Sequence, residues 1–578
     1  MRDRQYFLAR LLSRPVFFLR HAPALSAAVG RKVSNMARLR LASEHRGLKR
    51  RPPWIGMESQ PAALPVPAAV ASLPRYPHPL AEPAETVTTQ STTQDDVESQ
   101  FANHRWGFLI DSILTDVPDD TEALQRVLQW IGSQDAKHGA AWETYSACER
   151  VANLLLYLAV NGKATSGTTA EILARFIADS LQWIDSHLEY YGVSLTNNHL
   201  INNARALVMG GAAVGNRHAL ATGLKLLRKL LPDMVLDGGF LRERSSHYQL
   251  IVTGWVLDAW RFAAHATGEE SEDARFLHGY AHEMSHAARM LCSQDGLILA
   301  TIGDVSPDTT PVKSARRLAA LYPDIAASSQ APRTPVTIRD GWFRCERDNG
   351  IVLGNFPAGR HPLPYPHHGH SDHTAFTWTQ SGVEVLVDTG RFRYTPDPVS
   401  SLQTSAHGHN VPLINGFAPM CETVLRGGLW WPRPYADSKL ALKARTDGVE
   451  MEHDGFARAT PVTRHIRTLT LESGSLLVLD TFEGRGSVDL ELCWNFGSGL
   501  TTFDTRTLKA AGAAGEIRLN IEGTTRAPDV KYITGNSPGG WRSPEYGVIA
   551  PSLGILLGCR VELPARISTR FELQTCAA

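Results

Sequence analysis

The chain has 578 residues, of which 58 are basic and 58 acidic, so its formal net charge is zero. This length predicts about two to four domains, and 43% apolar with 20% charged residues is ordinary globular composition. The balanced charge excludes any whole-chain argument for binding nucleic acid. No run of about 18 uninterrupted apolar residues occurs, so no membrane-spanning helix is expected.

Residues 1–56 differ in charge from the rest of the chain. They hold 13 basic and two acidic residues, a net charge of +11, so the remainder carries −11. Arg10 and Arg14 interrupt the apolar stretch 6–19, which is therefore not a clear secretory signal. We predict a basic N-terminal extension. The alternatives for these residues are a targeting segment and a natural start of the protein at Met57. The sequence leaves both a cytoplasmic and a periplasmic location open.

Three regions follow along the chain. Residues 57–100 are rich in Pro, Ala, Thr, Ser and Gln, which predicts a linker because such a stretch cannot bury a core. In 101–330 apolar residues recur at helical spacing between Gly, Pro, Asn and Asp breaks, which predicts an all-α domain of helical hairpins. In 331–578 the period changes to two, as in GIVLGNF and HIRTLTLE, which predicts an antiparallel β-sandwich.

The densest polar cluster is HHGHSDH at 367–373, at the entry to a predicted strand. Neutral imidazole and carboxylate are zinc ligands, so this pattern predicts metal binding, with a solvated His-rich loop as the alternative. Asp388 ends the apolar strand EVLVDTG, and His407 and His409 follow in SAHGHN. A buried carboxylate at a strand end needs a partner, which a metal or a histidine would supply.

HGHSDH also fits the HxHxDH string of metallo-β-lactamase-fold hydrolases, which would predict a two-zinc hydrolase. In this chain VLVDTG follows the histidines instead of preceding them, and the helical half has no counterpart in that fold. The hydrolase is kept as an alternative function.

Two predicted helices carry polar side chains that suit a cleft. The segment TNNHLINNARALV places four polar residues near one another, because residues three and four apart share a helix face. These residues are Asn198, His199, Asn202 and Arg205. An exposed face is the alternative, although it would more often carry Lys and Glu. The segment DGGFLRERSSHYQLIV sets Arg244 and Tyr248 at the start of an apolar helix.

Together these segments resemble the heparinase II/III-like polysaccharide lyases, including oligoalginate lyases. The resemblance rests on their order and spacing over most of residues 101–420, and it includes AWETYSACERVANLLLYL, DGLILATIGD and HGHNVPLINGF. It implies an incomplete α/α toroid followed by an antiparallel β-sandwich. It also implies β-elimination at a uronic acid, in which a proton leaves C5, the glycosidic oxygen leaves C4 and an unsaturated sugar forms.

The resemblance implies a role for each candidate catalytic residue. Asn198 and His199 match a pair that neutralises the uronate carboxylate, which must be stabilised as the enolate develops. Tyr248 matches the catalytic tyrosine, and His368 matches a second acid or base. A phenol of ordinary pKa about 10 needs nearby cations to act as a base at neutral pH. Tyr394 is expected to reach the leaving oxygen.

Other candidates are expected to bind substrate or metal. Arg205 or Arg244 could supply the cationic field, and both are expected, with Asn202, to bind substrate. The resemblance implies a structural zinc, held by His370, Asp388 and His409, with His407 as the competing third ligand. Such a zinc would brace loops under the cleft instead of activating water.

The charge distribution bears on the substrate. A body of net charge −11 that acts on an acidic polymer must concentrate its attraction in a narrow cleft. We therefore expect short or sparsely charged acidic polysaccharides or oligosaccharides as substrates, and no nucleic-acid partner. A non-catalytic carbohydrate-binding protein on a lyase fold stays an alternative, because fold does not dictate activity.

Overall fold

The structure is a computed structural model. It describes residues 96–114, 120–133, 139–161, 167–190, 197–293, 296–323, 334–357, 368–395, 397–419, 425–426, 429–430, 439–524, 526–533 and 540–574, with isolated positions 52, 55, 73 and 74. Nearly all of the predicted basic extension and of the predicted linker lies outside these residues. The first described helix begins at Val97, so it overlaps the last four residues of the predicted linker.

Helices occupy the first half of the described chain. Their bounds are α1 Val97–Ala102, α2 Gly107–Leu114, α3 Asp120–Gly132, α4 Thr144–Asn161, α5 Gly167–Ser186, α6 Asn198–Ala213, α7 Arg217–Met234, α8 Ser246–Thr267, α9 Glu272–Met290 and α10 Pro311–Leu321. Within the described ranges, no helix is long and apolar enough to cross a membrane.

Successive helices pack closely through small residues. A Cβ at Gly211 of α6 would lie 2.5 Å from the backbone nitrogen of Leu220 in α7, so only glycine lets the two backbones approach. Leu207 and Val256 are among the fully buried residues of the core that α4, α6 and α8 share. Helical hairpins therefore form one continuous apolar core.

Strands fill the second half, with one further short helix, α11 Pro398–Thr404. The strand bounds are β1 Val336–Arg339, β2 Trp342–Arg347, β3 Gly350–Asn355, β4 Thr377–Gln380, β5 Val383–Leu386, β6 Pro412–Ile414, β7 Leu425–Arg426, β8 Leu429–Trp430, β9 Ala441–Arg445, β10 Gly448–His453, β11 Val462–Glu472, β12 Ser475–Asn495, β13 Thr502–Asp504, β14 Lys509–Gly512, β15 Gly515–Glu522, β16 Asp529–Tyr532, β17 Gly540–Arg542, β18 Ala550–Ser552 and β19 Gly554–Gln574.

Two antiparallel sheets pack face to face. A five-stranded sheet has the order β1-β2-β3-β4-β5, and a ten-stranded sheet has the order β13-β14-β15-β19-β12-β11-β10-β9, with β6 and β16 pairing to β12 and β19. Trp378 from the first sheet and Val478 and Trp494 from the second share one buried cluster. Burial alternates along β11 and most of β12, as the sequence period of two predicts. The fold is therefore an incomplete α/α toroid followed by an antiparallel β-sandwich, as predicted.

Polar and aromatic contacts join the two halves. Phe240, which precedes α8, stacks on Trp342 of β2 with ring centroids 5.1 Å apart. The backbone N–H groups of Gly238 and Phe240 donate to the Asp340 carboxylate at 3.0 and 3.1 Å. These contacts hold the start of α8 against the first sheet, and the candidate site lies at this junction.

Candidate active site

Two helix N-termini present the candidate residues of the helical half. The Asn197 side chain caps α6 by accepting from the N–H of His199 at 3.2 Å. Ser245 caps α8 in the same way, accepting from the N–H of Tyr248 at 3.1 Å. These polar caps start the helices where the apolar pattern begins. They fix Asn198, His199 and Tyr248 in the first turns.

The aromatic rings of Tyr248 and His368 stack. Their centroids are 3.7 Å apart and their planes differ by 4°. The Tyr248 hydroxyl is 2.9 Å from the Tyr394 hydroxyl, which donates to the Val305 carbonyl at 3.1 Å. Because a hydroxyl has one proton, that bond leaves the Tyr394 oxygen as the acceptor and Tyr248 as the donor.

The surroundings of Tyr248 favour its protonated form. Burial raises the pKa of Tyr248, and the negative charges of Asp308 and Asp304 raise it further, against the opposing hydrogen bond with Tyr394. The pKa is therefore raised, whereas the sequence interpretation required nearby cations to lower it. Tyr248 keeps its proton at neutral pH.

The tautomer of His368 follows from its neighbours. Glu243 accepts from the backbone N–H of Asn198 at 3.1 Å and from its Nδ2 at 2.8 Å. Because a carboxylate only accepts, the amide nitrogen must face Glu243, and the same Nδ2 donates to His368 Nε2 at 3.0 Å. His368 then carries its proton on Nδ1, which donates to Asp304 at 3.1 Å. Nε2 keeps a basic lone pair.

His199 is held as a cation. Its Nδ1 donates to Glu189 at 3.1 Å, and Glu189 is held in turn by the Asn203 amide at 3.0 Å. Burial lowers the pKa of His199, but the Glu189 carboxylate outweighs burial and raises the pKa to about 9. A positive charge therefore lies next to Asn198 at neutral pH, as carboxylate neutralisation requires.

The predicted substrate-binding residues lie deeper than expected. Arg205 is fully buried, and its guanidinium contacts Glu149 at 3.0 Å and Asp258 at 2.7 Å. Asn202, also fully buried, accepts from Arg205 at 3.3 Å. These positions argue against the direct substrate contact expected of Arg205 and Asn202, because charge pairing inside the helical core already satisfies the arginine.

Arg244 braces the junction of the two halves. It has a left-handed backbone with φ 59°, and its side chain donates to Asn355 at 2.5 Å and to Asp372 at 2.7 Å. Its side chain is 8% exposed. Like Arg205, it lies against protein carboxylate and amide groups.

A candidate metal centre lies next to this site. The ligand atoms of His370, Asp388 and His409 all lie within 4.8 Å of one another. His370 Nε2 donates to Asp304 at 2.8 Å and His409 Nδ1 donates to Asp388 at 2.9 Å. The other ring nitrogens, His370 Nδ1 and His409 Nε2, are buried and have no hydrogen-bond partner among the described residues. Two unused buried lone pairs beside a carboxylate fit a metal ion. The group includes His409 and not His407.

Asp304 connects the stacked pair to the candidate metal centre. One carboxylate oxygen accepts from His368 and the other from His370, at 3.1 and 2.8 Å. Burial alone would raise the pKa of Asp304, but Arg391 and the two histidines lower it. The sequence interpretation gave no role to Asp304, Glu243 or Glu189. Two of them had a signal in position, since Asp304 ends DGLILATIGD and Glu243 precedes Arg244.

A glycine makes this arrangement possible. Gly303 has φ 79°, and a Cβ there would lie 2.5 Å from the His368 carbonyl oxygen and 2.8 Å from that of Arg244. Only glycine lets the chain pass between these backbones. His367, the first residue of the histidine cluster, lies outside the described residues.

The hydrolase alternative does not fit the fold or the ligands. Asp372, the acid of HGHSDH, pairs with Arg244. In the described parts of the chain, His370, Asp388 and His409 form the one group of three or more residues that could hold a metal. The toroid and sandwich also differ from the metallo-β-lactamase fold.

Comparisons with known proteins show what the chain is similar to. Residues 340–568 match the family model described as Heparinase II/III-like, C-terminal. The fold is similar to that of heparinase III, with TM-score 0.63 and 14% identity over 84% of this chain and 79% of that chain. It is also similar to a heparan sulfate lyase HepC mutant from Pedobacter heparinus, with TM-score 0.55 and 15% identity over 86% and 80%. No curated protein matches the chain.

These matches confirm the predicted resemblance to the heparinase II/III-like superfamily. The chain has a fold similar to that of heparinase III, and residues 340–568 match the C-terminal model of the heparinase II/III-like family.

Proposed function

We propose that this chain is a polysaccharide lyase that cleaves a uronic-acid-containing polysaccharide or oligosaccharide by β-elimination. The stacked pair of Tyr248 and His368 is the observation that carries the proposal. It sets a protonated phenol beside an imidazole with a basic lone pair. Elimination needs such an acid and base.

Asn198 and His199 would neutralise the substrate carboxylate. C5 of a uronate is only weakly acidic, because the neighbouring carboxylate is already charged. A protonated His199 would stabilise the charge that develops as the C5 proton leaves. Asn198 would add to this once substrate replaces the hydrogen bond between its Nδ2 and His368 Nε2, which frees an amide proton for the carboxylate and the Nε2 lone pair for the C5 proton. The raised pKa of His199 supports this role.

His368 Nε2 would take the C5 proton, and Tyr248 would protonate the leaving oxygen. The electron pair of the C5–H bond forms the C4–C5 double bond, and the C4–O bond breaks. Asp304 orients His368 by accepting from Nδ1. Tyr394 would then donate to the Tyr248 phenolate.

Arg205, Arg244 and Asn202 would act through the framework of the cleft. Arg244 ties the start of α8 to Asp372 in the histidine loop, and Arg205 ties α6 to Asp258 of α8. Both therefore fix the spacing between the proposed catalytic residues, without contact to the sugar.

The metal would be a structural zinc held by His370, Asp388 and His409. When bound, it would supply positive charge that fixes the loops before β4, after β5 and before β6. The proposed proton transfers use only side chains of the chain itself.

A substrate panel tests the proposal. Alginate, hyaluronan, chondroitin, heparan and bacterial exopolysaccharides are each incubated with the protein, and the ultraviolet absorbance of unsaturated ends is followed. At least one uronate polymer is expected to give product, and a length series then tests the preference for short chains. Polysaccharide binding with no product from any of them would favour the non-catalytic carbohydrate-binding alternative.

A further inference from the structure

Helix α9 carries a row of histidines that are not part of the candidate active site. His278, His282 and His286 follow one another at four-residue spacing, so they lie on one face of the helix. His278 is exposed, and the other two are half-buried. The proposed lyase function uses none of them.

The rings of His282 and His286 converge. Their Nε2 atoms are 3.2 Å apart and their centroids 4.5 Å. Two imidazole nitrogens that bind one tetrahedral zinc at about 2.0–2.1 Å lie about 3.3 Å from each other. The pair thus has the spacing of two ligands of one ion. His278 is farther away, with its ring centroid 6.3 Å from that of His282.

A carboxylate lies near one of these rings. Glu283 is 3.5 Å from His282 Nδ1, and its other oxygen accepts from Arg339 at 2.6 Å. Metal-binding histidines usually have a carboxylate near their second nitrogen. Glu283 lies on that side of His282, and Nε2 is the nitrogen that faces His286.

Solvent reaches the pair. The His282 side chain is 43% exposed, so an ion can enter directly.

We propose that His282 and His286 form a second metal site on the outer face of α9. It would bind one divalent transition-metal ion, such as Cu²⁺, Ni²⁺ or Zn²⁺, through the two Nε2 atoms. Water or a group from another molecule would complete the coordination. Affinity should follow the usual order, with Cu²⁺ the tightest. Because Glu283 pairs with Arg339 of β1, an ion here would lie at the junction of α9 with the first sheet.

Calorimetric titration with NiCl₂ tests this site in the full-length protein after chelator treatment. The variants are H282A, H286A, the double variant and H278A as the matched control from the same helix face. Alanine favours helix, so α9 should keep its structure, which far-ultraviolet circular dichroism checks. Any ion at the His370 centre is common to all variants and cancels in the comparison.

The wild type is expected to bind one more Ni²⁺ per chain than the double variant. Each single variant should weaken this binding at least about tenfold. Loss of a group that only orients a metal ligand already weakens metal binding about tenfold or more, and loss of the ligand itself should cost no less. H278A should bind like the wild type. Equal stoichiometry in wild type and double variant, or an equal loss in H278A, would overturn the proposal.

Discussion

The phenol ring of Tyr248 lies parallel to the imidazole ring of His368, with centroids 3.7 Å apart. Tyr248 belongs to the helical half. His368 belongs to the connection between β3 and β4 of the first sheet. Hydrogen bonds join them, because the Ser245 hydroxyl donates to the Asp304 carbonyl at 2.7 Å and the Asp304 N–H donates to the His368 carbonyl at 2.8 Å. The proposed acid and base are therefore positioned by contacts across the junction of the two halves.

Tyr248→Phe removes the proposed acid and keeps the ring stack. The variant should fold normally and lose at least about a hundredfold in lyase rate, because general acid–base catalysis contributes about 10²–10⁴-fold. Initial rates on the best polymer of the panel measure the loss. Tyr280→Phe, on α9, is the matched control and should keep full rate. Near-normal activity of Tyr248→Phe would remove this tyrosine from the mechanism.

His199 makes substrate binding depend on pH. Its pKa of about 9 means that the imidazole is charged below that pH and loses its charge above it. KM for a uronate substrate should therefore rise as the pH increases through about 9. Glu189→Gln should move this change toward the ordinary histidine pKa of about 6.5. KM profiles that coincide for the wild type and Glu189→Gln would contradict the role of His199.

The same ionisation contributes to stability. Because the pKa of His199 is raised on folding, its contribution is complete below about pH 6.5 and is lost as the pH rises through about 9.

Asp304→Asn tests the orientation of His368. The variant should lose at least about tenfold in kcat with little change in KM, because Asp304 fixes the proton on Nδ1 and contacts no substrate in the proposal. Metal content must be measured in parallel, since Asp304 also contacts His370. A change confined to KM, with kcat intact, would contradict the orienting role.

Metal analysis tests the candidate metal centre of His370, Asp388 and His409. In the H282A/H286A background, about one zinc per chain is expected, consistent with one set of three protein ligands. His409→Ala should remove it and lower the melting temperature, because a structural metal contributes to folding. His407→Ala is the matched control and should retain the metal. Two zinc ions per chain in this background would instead favour a two-metal hydrolase.

Arg467 supports the loops of the site from inside the sandwich. It is fully buried, pairs with Asp480 and donates to the Asn410 and Thr374 carbonyls at 2.7 and 3.2 Å. Arg467→Met should cost about 3–5 kcal/mol, because it leaves the buried Asp480 without its cation. Arg464→Met, at a half-buried surface arginine, should cost about 1 kcal/mol or less. Urea unfolding measures both, and equal costs would contradict this account.

The sequence predicted the architecture. Apolar residues recur at helical spacing in the first half and at every second position in the second half, and this spacing reflects which side chains each segment buries. The family resemblance also drew attention to Tyr248 and His368. The sequence could not predict their environment. Glu189, Glu243 and Asp304 meet the site only through tertiary packing.

Arg205 illustrates the same limit. In sequence it is a cation beside polar residues of one helix, which resembles a cleft wall. In the structure it pairs with Asp258, 53 residues away, and both side chains are fully buried. No local pattern distinguishes these two environments.

Isotopically labelled water tests the central claim most directly. The best polymer of the panel is cleaved in labelled water, and the products are analysed by mass spectrometry. Elimination predicts an unsaturated uronate at each new non-reducing end and no labelled oxygen introduced by cleavage. Saturated products that carry one labelled oxygen per cleaved bond would show hydrolysis and contradict the lyase assignment.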